Sequence, residues 1–159
     1  MEIRPARKED IDKLADIFVA AYNPLNIGEE WTKETAIVML AHLFEIQPDL
    51  TFVAIIDNEI VGGTNAIVKP WWDGNHITDG EIFVESGHQG QKIGKKLLKR
   101  LFQEAKNKYS AVSWDTFTHV VHEHPLTWYK SMGFEEIPHW TMITGDIDKV
   151  LQNLTAEGI

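Results

Sequence analysis

The sequence of 159 residues contains no cysteine, which excludes disulfides, thiolate nucleophiles, thiolate zinc sites and iron–sulfur clusters and fits a reducing compartment. It is also short of positive charge. Fifteen Lys and Arg stand against twenty-four Asp and Glu, a formal net charge of −9. Such a surface repels phosphate backbones, which argues against a nucleic-acid partner. No apolar run approaches the roughly 18 residues that span a bilayer, and Met1-Glu2-Ile3-Arg4-Pro5 opens without a hydrophobic signal region. The expectation is a soluble cytoplasmic protein with no membrane partner. No repeat and no biased linker is present, so the length fits one domain over 1–159,.

What is present is a 43% hydrophobic, 25% charged chain of ordinary globular composition. A strand is expected at 2–5 and a helix over 8–22, with Ile11, Leu14, Ile17, Phe18 and Ala21 on one face,. A second helix is expected over 32–45, ahead of Pro48. Strands at 50–56 and 60–68, joined at Asp57-Asn58-Glu59, read as a hairpin, with Gly62-Gly63 marking a bulge or a close backbone approach,. After a loop holding Trp71 and Trp72, a strand over 76–85 leads into a glycine-bearing turn. The most regular helix follows, with Ile93, Leu97, Leu98, Leu101, Phe102 and Ala105 as its apolar stripe,. Beyond it are expected a strand at 111–118, a short helix at 125–132 ended by Gly133, closing strands at 134–137 and 139–144, and a helix at 147–154. Long helices beside hairpin strands predict an α/β fold with a mixed sheet and helices on both faces.

The turn between Glu85 and the long helix carries the clearest chemistry. A helix start exposes about four amides without intrahelical partners, and its dipole adds roughly half a positive charge. Gly87 and Gly90 stand in the turn, Gly94 in the first helical turn, and Lys92 and Lys95 beside them. Read from the residues, this is either a cradle for phosphate or pyrophosphate or a loop whose glycines only permit the turn. It is neither a Walker loop nor a dinucleotide fingerprint, since the spacing of Gly90 and Gly94 fits neither,.

Gln89-Gly90-Gln91-Lys92-Ile93-Gly94-Lys95 resembles the Arg/Gln-x-x-Gly-x-Gly/Ala segment of the GCN5-related N-acetyltransferases. Ile3-Arg4-Pro5-Ala6, the 52–67 region and Trp128-Tyr129-Lys130-Ser131-Met132-Gly133-Phe134 resemble that family's opening, its second and third strands and its late Tyr-x-x-x-Gly-Phe motif. The resemblance implies the family's acyl-CoA N-acyltransferase fold, with a mostly antiparallel mixed sheet. It implies acetyl-coenzyme A as cosubstrate and no metal. Its pyrophosphate would lie on Gln89, Gly90, Gln91, Lys92, Ile93, Gly94 and Lys95, and its acetyl oxygen on the backbone of Val84. Two positions depart from the pattern. Lys92 replaces the motif's first glycine, which a lysine tolerates inside a helix but not without strain at positive φ. His122 stands seven residues before Tyr129, where the family often has an Asn that contacts the pantetheine arm.

The implied reaction is direct attack of a primary amine on the thioester in a ternary complex. Tyr129 stands where the family keeps the acid that protonates the leaving thiolate, and Glu81 is the first choice of general base. Asp79, Glu85, Asp115 and ordered water compete with it. The acceptor is a small polyamine, an amino sugar such as an aminoglycoside, or a peptide amine. Trp31, Trp71 and Trp72, close in sequence to Glu29, Glu30 and Asp73, suit either a cationic amine or an interface patch; Trp114, Trp128 and Trp140 are expected in the core. His119, His122, Glu123 and His124 lack diagnostic metal spacing,. Strand sharing between two copies, giving a homodimer, lies within the family's range. The rival readings are a catalytically silent acyl-coenzyme A sensor and a binder of another phosphorylated ligand.

Overall fold

Arg4 and Asp10 fix how the chain enters its first helix. The guanidinium of Arg4 donates to both carboxylate oxygens of the buried Asp10, at 2.7 and 3.0 Å, and the Arg7 amide donates to Oδ2 at 2.7 Å. The Arg4 hydrogen bond holds the Asp10 carboxyl below the usual carboxylate range. The structure, a computed structural model, describes residues 1–156. These form two units, Met1–Val121 and a second beginning at His122.

In the first unit, β1 (Glu2–Pro5), α1 (Ile11–Tyr22), α2 (Lys33–Ile46), β2 (Phe52–Ile56) and β3 (Glu59–Thr64) follow the sequence pattern closely. Four of the five apolar positions expected on α1 are buried: Ile11, Leu14, Ile17 and Phe18. Thr32 caps α2 by accepting from the Thr35 amide at 3.2 Å. Asp57 and Asn58 turn the hairpin with φ of 49° and 69°, the twin left-handed conformations that match strand twist. Gly62 and Gly63 are required by close approach. A Cβ on Gly62 would lie 2.6 Å from the Phe83 carbonyl oxygen, and one on Gly63 would lie 2.7 Å from Leu14. The register slips at Ala54/Ile55, so a bulge is present as well.

Two expected strands are each broken in the middle. Residues 60–68 divide at Asn65-Ala66 into β3 and β4 (Ile67–Trp71), and residues 76–85 divide at 79–81 into β5 (Gly74–Thr78) and β6 (Ile82–Val84). Asp79 takes φ of 49°, and Gly80 is pressed so tightly that a Cβ would meet the Asn65 oxygen at 2.7 Å and the Trp114 ring at 2.8 Å. The result is a four-stranded antiparallel sheet in the order β1-β2-β3-β6, and a three-stranded sheet in the order β4-β5-β7. The strand expected over 111–118 shortens to β7 (Ser113–Trp114), which pairs parallel to β5.

Helices cover both faces of the larger sheet. Leu14 and Phe18 of α1 pack with Val53 and Phe83. On the opposite face lies α3 (Ile93–Tyr109), whose Arg100 guanidinium sits 5.0 Å from the Phe52 ring centroid. Ile93, Leu97, Leu98, Leu101 and Ala105 of α3 are buried, each large side chain contributing about 1.5–3 kcal/mol.

The smaller sheet is pinned by a histidine. His76 is buried, with Nδ1 2.6 Å from Asp115 Oδ2 and Nε2 2.9 Å from Asp73 Oδ1. The Asp115 hydrogen bond raises its pKa, so both nitrogens donate when the ring is charged. A raised folded-state pKa gives stability that is full below the unfolded value near 6.5 and is lost as pH rises through the folded one. Asp115→Asn should therefore cost about 1 kcal/mol at pH 6, discounted for the exposure of the carboxylate, and progressively less at alkaline pH. Urea denaturation across pH 6–9 measures this, and a pH-independent cost would contradict it.

In the second unit, α4 (Leu126–Lys130) is shorter than the expected 125–132, and Gly133 ends the turn at φ of 97°. The helix α5 (Ile147–Ala156) forms as expected. The closing strands expected at 134–137 and 139–144 do not form among the described residues. Trp140, expected in the core, is 71% exposed. Alternating apolar residues specify a strand only where a neighbour supplies the ladder, and no described strand pairs with this segment. Among the described residues no helix is long and apolar enough to cross a membrane.

Candidate active site

The loop from Glu85 to Lys92 runs through a short 3-10 turn at Ser86–His88 into α3, which begins at Ile93. The first bond of the ladder is Lys96 N–H to Lys92 O at 3.1 Å. The amides of Ile93 and Gly94 thus have no acceptor inside the helix. The Lys92 side chain makes no capping hydrogen bond at this end, and the first turn holds no acidic residue. Lys92, Lys95 and Lys96 are exposed. Gly90 has φ of 77°, and a Cβ there would meet nothing within 4 Å. This is an uncapped, basic, open helix start, which suits an anion.

Lys92 is the N-cap, in the left-handed region at φ 63° and ψ 16°. The departure from the family's glycine therefore falls on a position that glycine fits better, at a cost of about 1–2 kcal/mol for an L-residue. Lys92→Gly should raise unfolding stability by about 0.5–1 kcal/mol, after the extra freedom of the unfolded chain is subtracted. Chemical denaturation checks this, and a destabilised variant would mean that the lysine side chain holds the loop.

Upstream, β6 is one of the two edge strands of the larger sheet. Glu85 N–H donates to Val61 O at 2.8 Å, so the neighbouring pair Gly62↔Val84 is a non-hydrogen-bonded one. The N–H and C=O of Val84 consequently point away from β3, to the open edge. Gln89 reaches back to donate to that carbonyl at 3.0 Å, which ties the loop to the strand.

Glu81 lies at the strand break and not within a strand. Its amide donates to Asn65 Oδ1 at 2.8 Å, and its carbonyl accepts from the Asn65 amide at 3.1 Å and from Thr64 Oγ1 at 2.9 Å. The Tyr22 hydroxyl donates to its carboxylate. Burial pushes the Glu81 carboxyl above the ordinary glutamate range, Tyr22 pulls it back, and the nearby carboxylates of Glu29 and Asp79 add to the rise. A carboxylate of raised pKa is better matched to taking a proton near neutral pH. Two competitors are otherwise engaged: Asp115 with His76, and Glu85 with His88 Nδ1 at 2.9 Å.

The aromatic group expected at the acceptor site divides. Trp31 packs edge-on to Phe18 at 5.1 Å and donates to Glu29 at 2.8 Å, which places it with Tyr22 and Glu81. Trp71 instead takes the Lys69 ammonium at 4.2 Å, Trp72 is 86% exposed, and Asp73 belongs to His76. Tyr129, buried in the second unit, packs edge-on to Trp128 and Phe134 at 5.0 and 5.1 Å. His122 is exposed at the start of that unit. Among the described residues no three His, Asp or Glu side chains form a metal-holding group.

The acetyltransferase (GNAT) domain family matches residues 47–136, more than half of the chain, including both the Gln89–Lys95 loop and the Tyr129–Phe134 motif. The chain belongs to the GNAT acetyltransferase family. Solved structures share its fold. A possible acetyltransferase from Clostridium difficile is 15% identical with a TM-score of 0.76, covering 92% of this chain and 97% of its own. An aminoglycoside antibiotic 6'-N-acetyltransferase from Acinetobacter haemolyticus is 15% identical with a TM-score of 0.72, covering 93% and 100%. A predicted acetyltransferase from Clostridium acetobutylicum, solved with acetyl-CoA, is 19% identical with a TM-score of 0.67, covering 90% and 95%. No curated protein matches the sequence. The fold and family expected from the motifs are borne out.

Proposed function

We propose that the chain works as one domain, an N-acetyltransferase that moves the acetyl group of acetyl-coenzyme A to a primary amine. The observation that carries this reading is the uncapped, acid-free start of α3, beside the open edge at Val84. The amides from Gly90 to Lys95 would hold the pyrophosphate, with Lys92 and Lys95 adding charge. Val84 N–H would bind the acetyl oxygen, where negative charge develops during attack; a preorganised donor of this kind is worth about 2.7–4 kcal/mol. Acetyl-coenzyme A, when bound, supplies the activated thioester.

An alkyl amine with a pKa near 10 arrives protonated. Glu81 takes that proton, and the nitrogen lone pair is then available to attack. Tyr129, assigned from its motif, gives its proton to the departing sulfur, whose conjugate thiol has a pKa near 8.5. His122 is proposed as a hydrogen-bond donor to the pantetheine arm. The carboxylates of Glu29, Asp79 and Glu81 support a cationic acceptor, such as a polyamine, an amino sugar or a peptide amine. The net charge of −9 and the lack of cysteine support a cytoplasmic enzyme without a nucleic-acid partner.

Thiol release from acetyl-coenzyme A, followed over a panel of polyamines, aminoglycosides and lysine peptides, tests the reading. Turnover on an amine is expected, and Tyr129→Phe should lower kcat by about 10²–10⁴ with little change in acetyl-coenzyme A affinity. Binding of coenzyme A without turnover on any amine would identify a sensor instead. An unchanged kcat in the variant would remove Tyr129 from the reaction.

A further inference from the structure

The Glu81 carboxylate is held from a distant part of the chain. Tyr22, the last residue of α1, donates its hydroxyl to Glu81 Oε2 across 59 positions of sequence. Its ring is itself fixed, stacked on Phe18 at 4.2 Å and 19°. Phe18 is 1% exposed and meets Trp31 and Phe83 edge-on, at 5.1 and 5.3 Å. Phe83 lies two residues beyond Glu81 in β6, so one aromatic cluster anchors the donor and the strand that follows the acceptor. Thr64 and Asn65 grip the Glu81 backbone at the same time. Main chain and side chain are thus fixed by different elements, and little rotamer freedom remains.

We propose that Tyr22 is a positioning residue for acetyl transfer: its hydroxyl aims the Glu81 carboxylate that takes a proton from the acceptor. The inference rests on the reading of Glu81 as general base. Among the described residues, the polar groups that act on that carboxylate are Tyr22 from α1, Glu29 from the α1–α2 connection and Asp79 from the turn before β6. Burial and the two carboxylates favour the protonated form, and Tyr22 opposes them. Removing one hydroxyl leaves the stack on Phe18 intact but tips this balance. The carboxylate then holds its proton to higher pH and loses the bond that orients it.

Tyr22→Phe in the full chain tests this, with Glu81 followed by carbon-13 carboxyl NMR and its signal identified by its loss in Glu81→Gln. The midpoint of the Glu81 titration should rise by about one pH unit or more, since a hydrogen bond to a charged group is worth at least that much. The acid limb of kcat/KM on the best amine of the panel should rise with it, and activity should largely return at alkaline pH. A purely structural role would lower the plateau without moving either midpoint. An unmoved Glu81 midpoint in Tyr22→Phe overturns the inference and leaves the base assignment standing. An acid limb that persists in Glu81→Gln removes the base assignment itself.

Discussion

Glu81→Gln is expected to lower kcat/KM for the acceptor amine by about 10²–10⁴, the range for losing a general base, while acetyl-coenzyme A affinity stays unchanged. The amide keeps the size of the carboxylate and can still accept from Tyr22, so orientation survives and only proton uptake is lost. Stability should move the other way. Burial raises the Glu81 pKa in the folded chain, and a carboxyl whose folded pKa lies above its unfolded one destabilises the fold once pH exceeds the unfolded value near 4.3. At pH 7.5 glutamine removes that cost, so the melting temperature should hold or rise. Thiol-release kinetics and thermal denaturation on the same preparation separate the two effects. Wild-type kcat/KM in the variant would pass the role to Asp79 or to water.

Gly94→Glu should abolish acetyl-coenzyme A binding, weakening it by about 10²-fold or more. Gly94 occupies the first turn of α3, among the amides that lack helical acceptors. A carboxylate there adds bulk, repels a diphosphate and competes for the same donors. The same charge favours the helix, because the dipole stabilises anions at this end by roughly 0.3–1 kcal/mol. Binding should therefore fail in a protein that folds normally. Calorimetry with acetyl-coenzyme A and circular dichroism check the pair, and an unchanged Kd would place the diphosphate elsewhere.

Much of the fold, and of the loop leading into α3, can be read in the sequence because the parts are local. The apolar stripe of α3, the Asp57-Asn58 turn and the Gln89–Lys95 loop each lie within a few residues, and each appears where its pattern places it. What the sequence conceals is long-range or conformational. The pairing of Tyr22 with Glu81 spans 59 residues, and nothing in either segment announces it. Lys92 could be inside the helix or ahead of it, and only its φ of 63° decides. The strand breaks were hidden because apolar residues resume on both sides of them, although Asn65 at one and Asp79-Gly80 at the other were the available signals,. At 139–144, alternation suggested a strand that finds no partner among the described strands.

The central claim is that the first amides of α3 bind the diphosphate of coenzyme A. Titration of the nitrogen-15-labelled full chain with coenzyme A, followed by amide chemical shifts, tests it most directly. The expected result is saturable movement concentrated on Gly90, Gln91, Ile93, Gly94 and Lys95, absent in Gly94→Glu. Saturable binding that leaves those amides unmoved, or no binding at all, would contradict it.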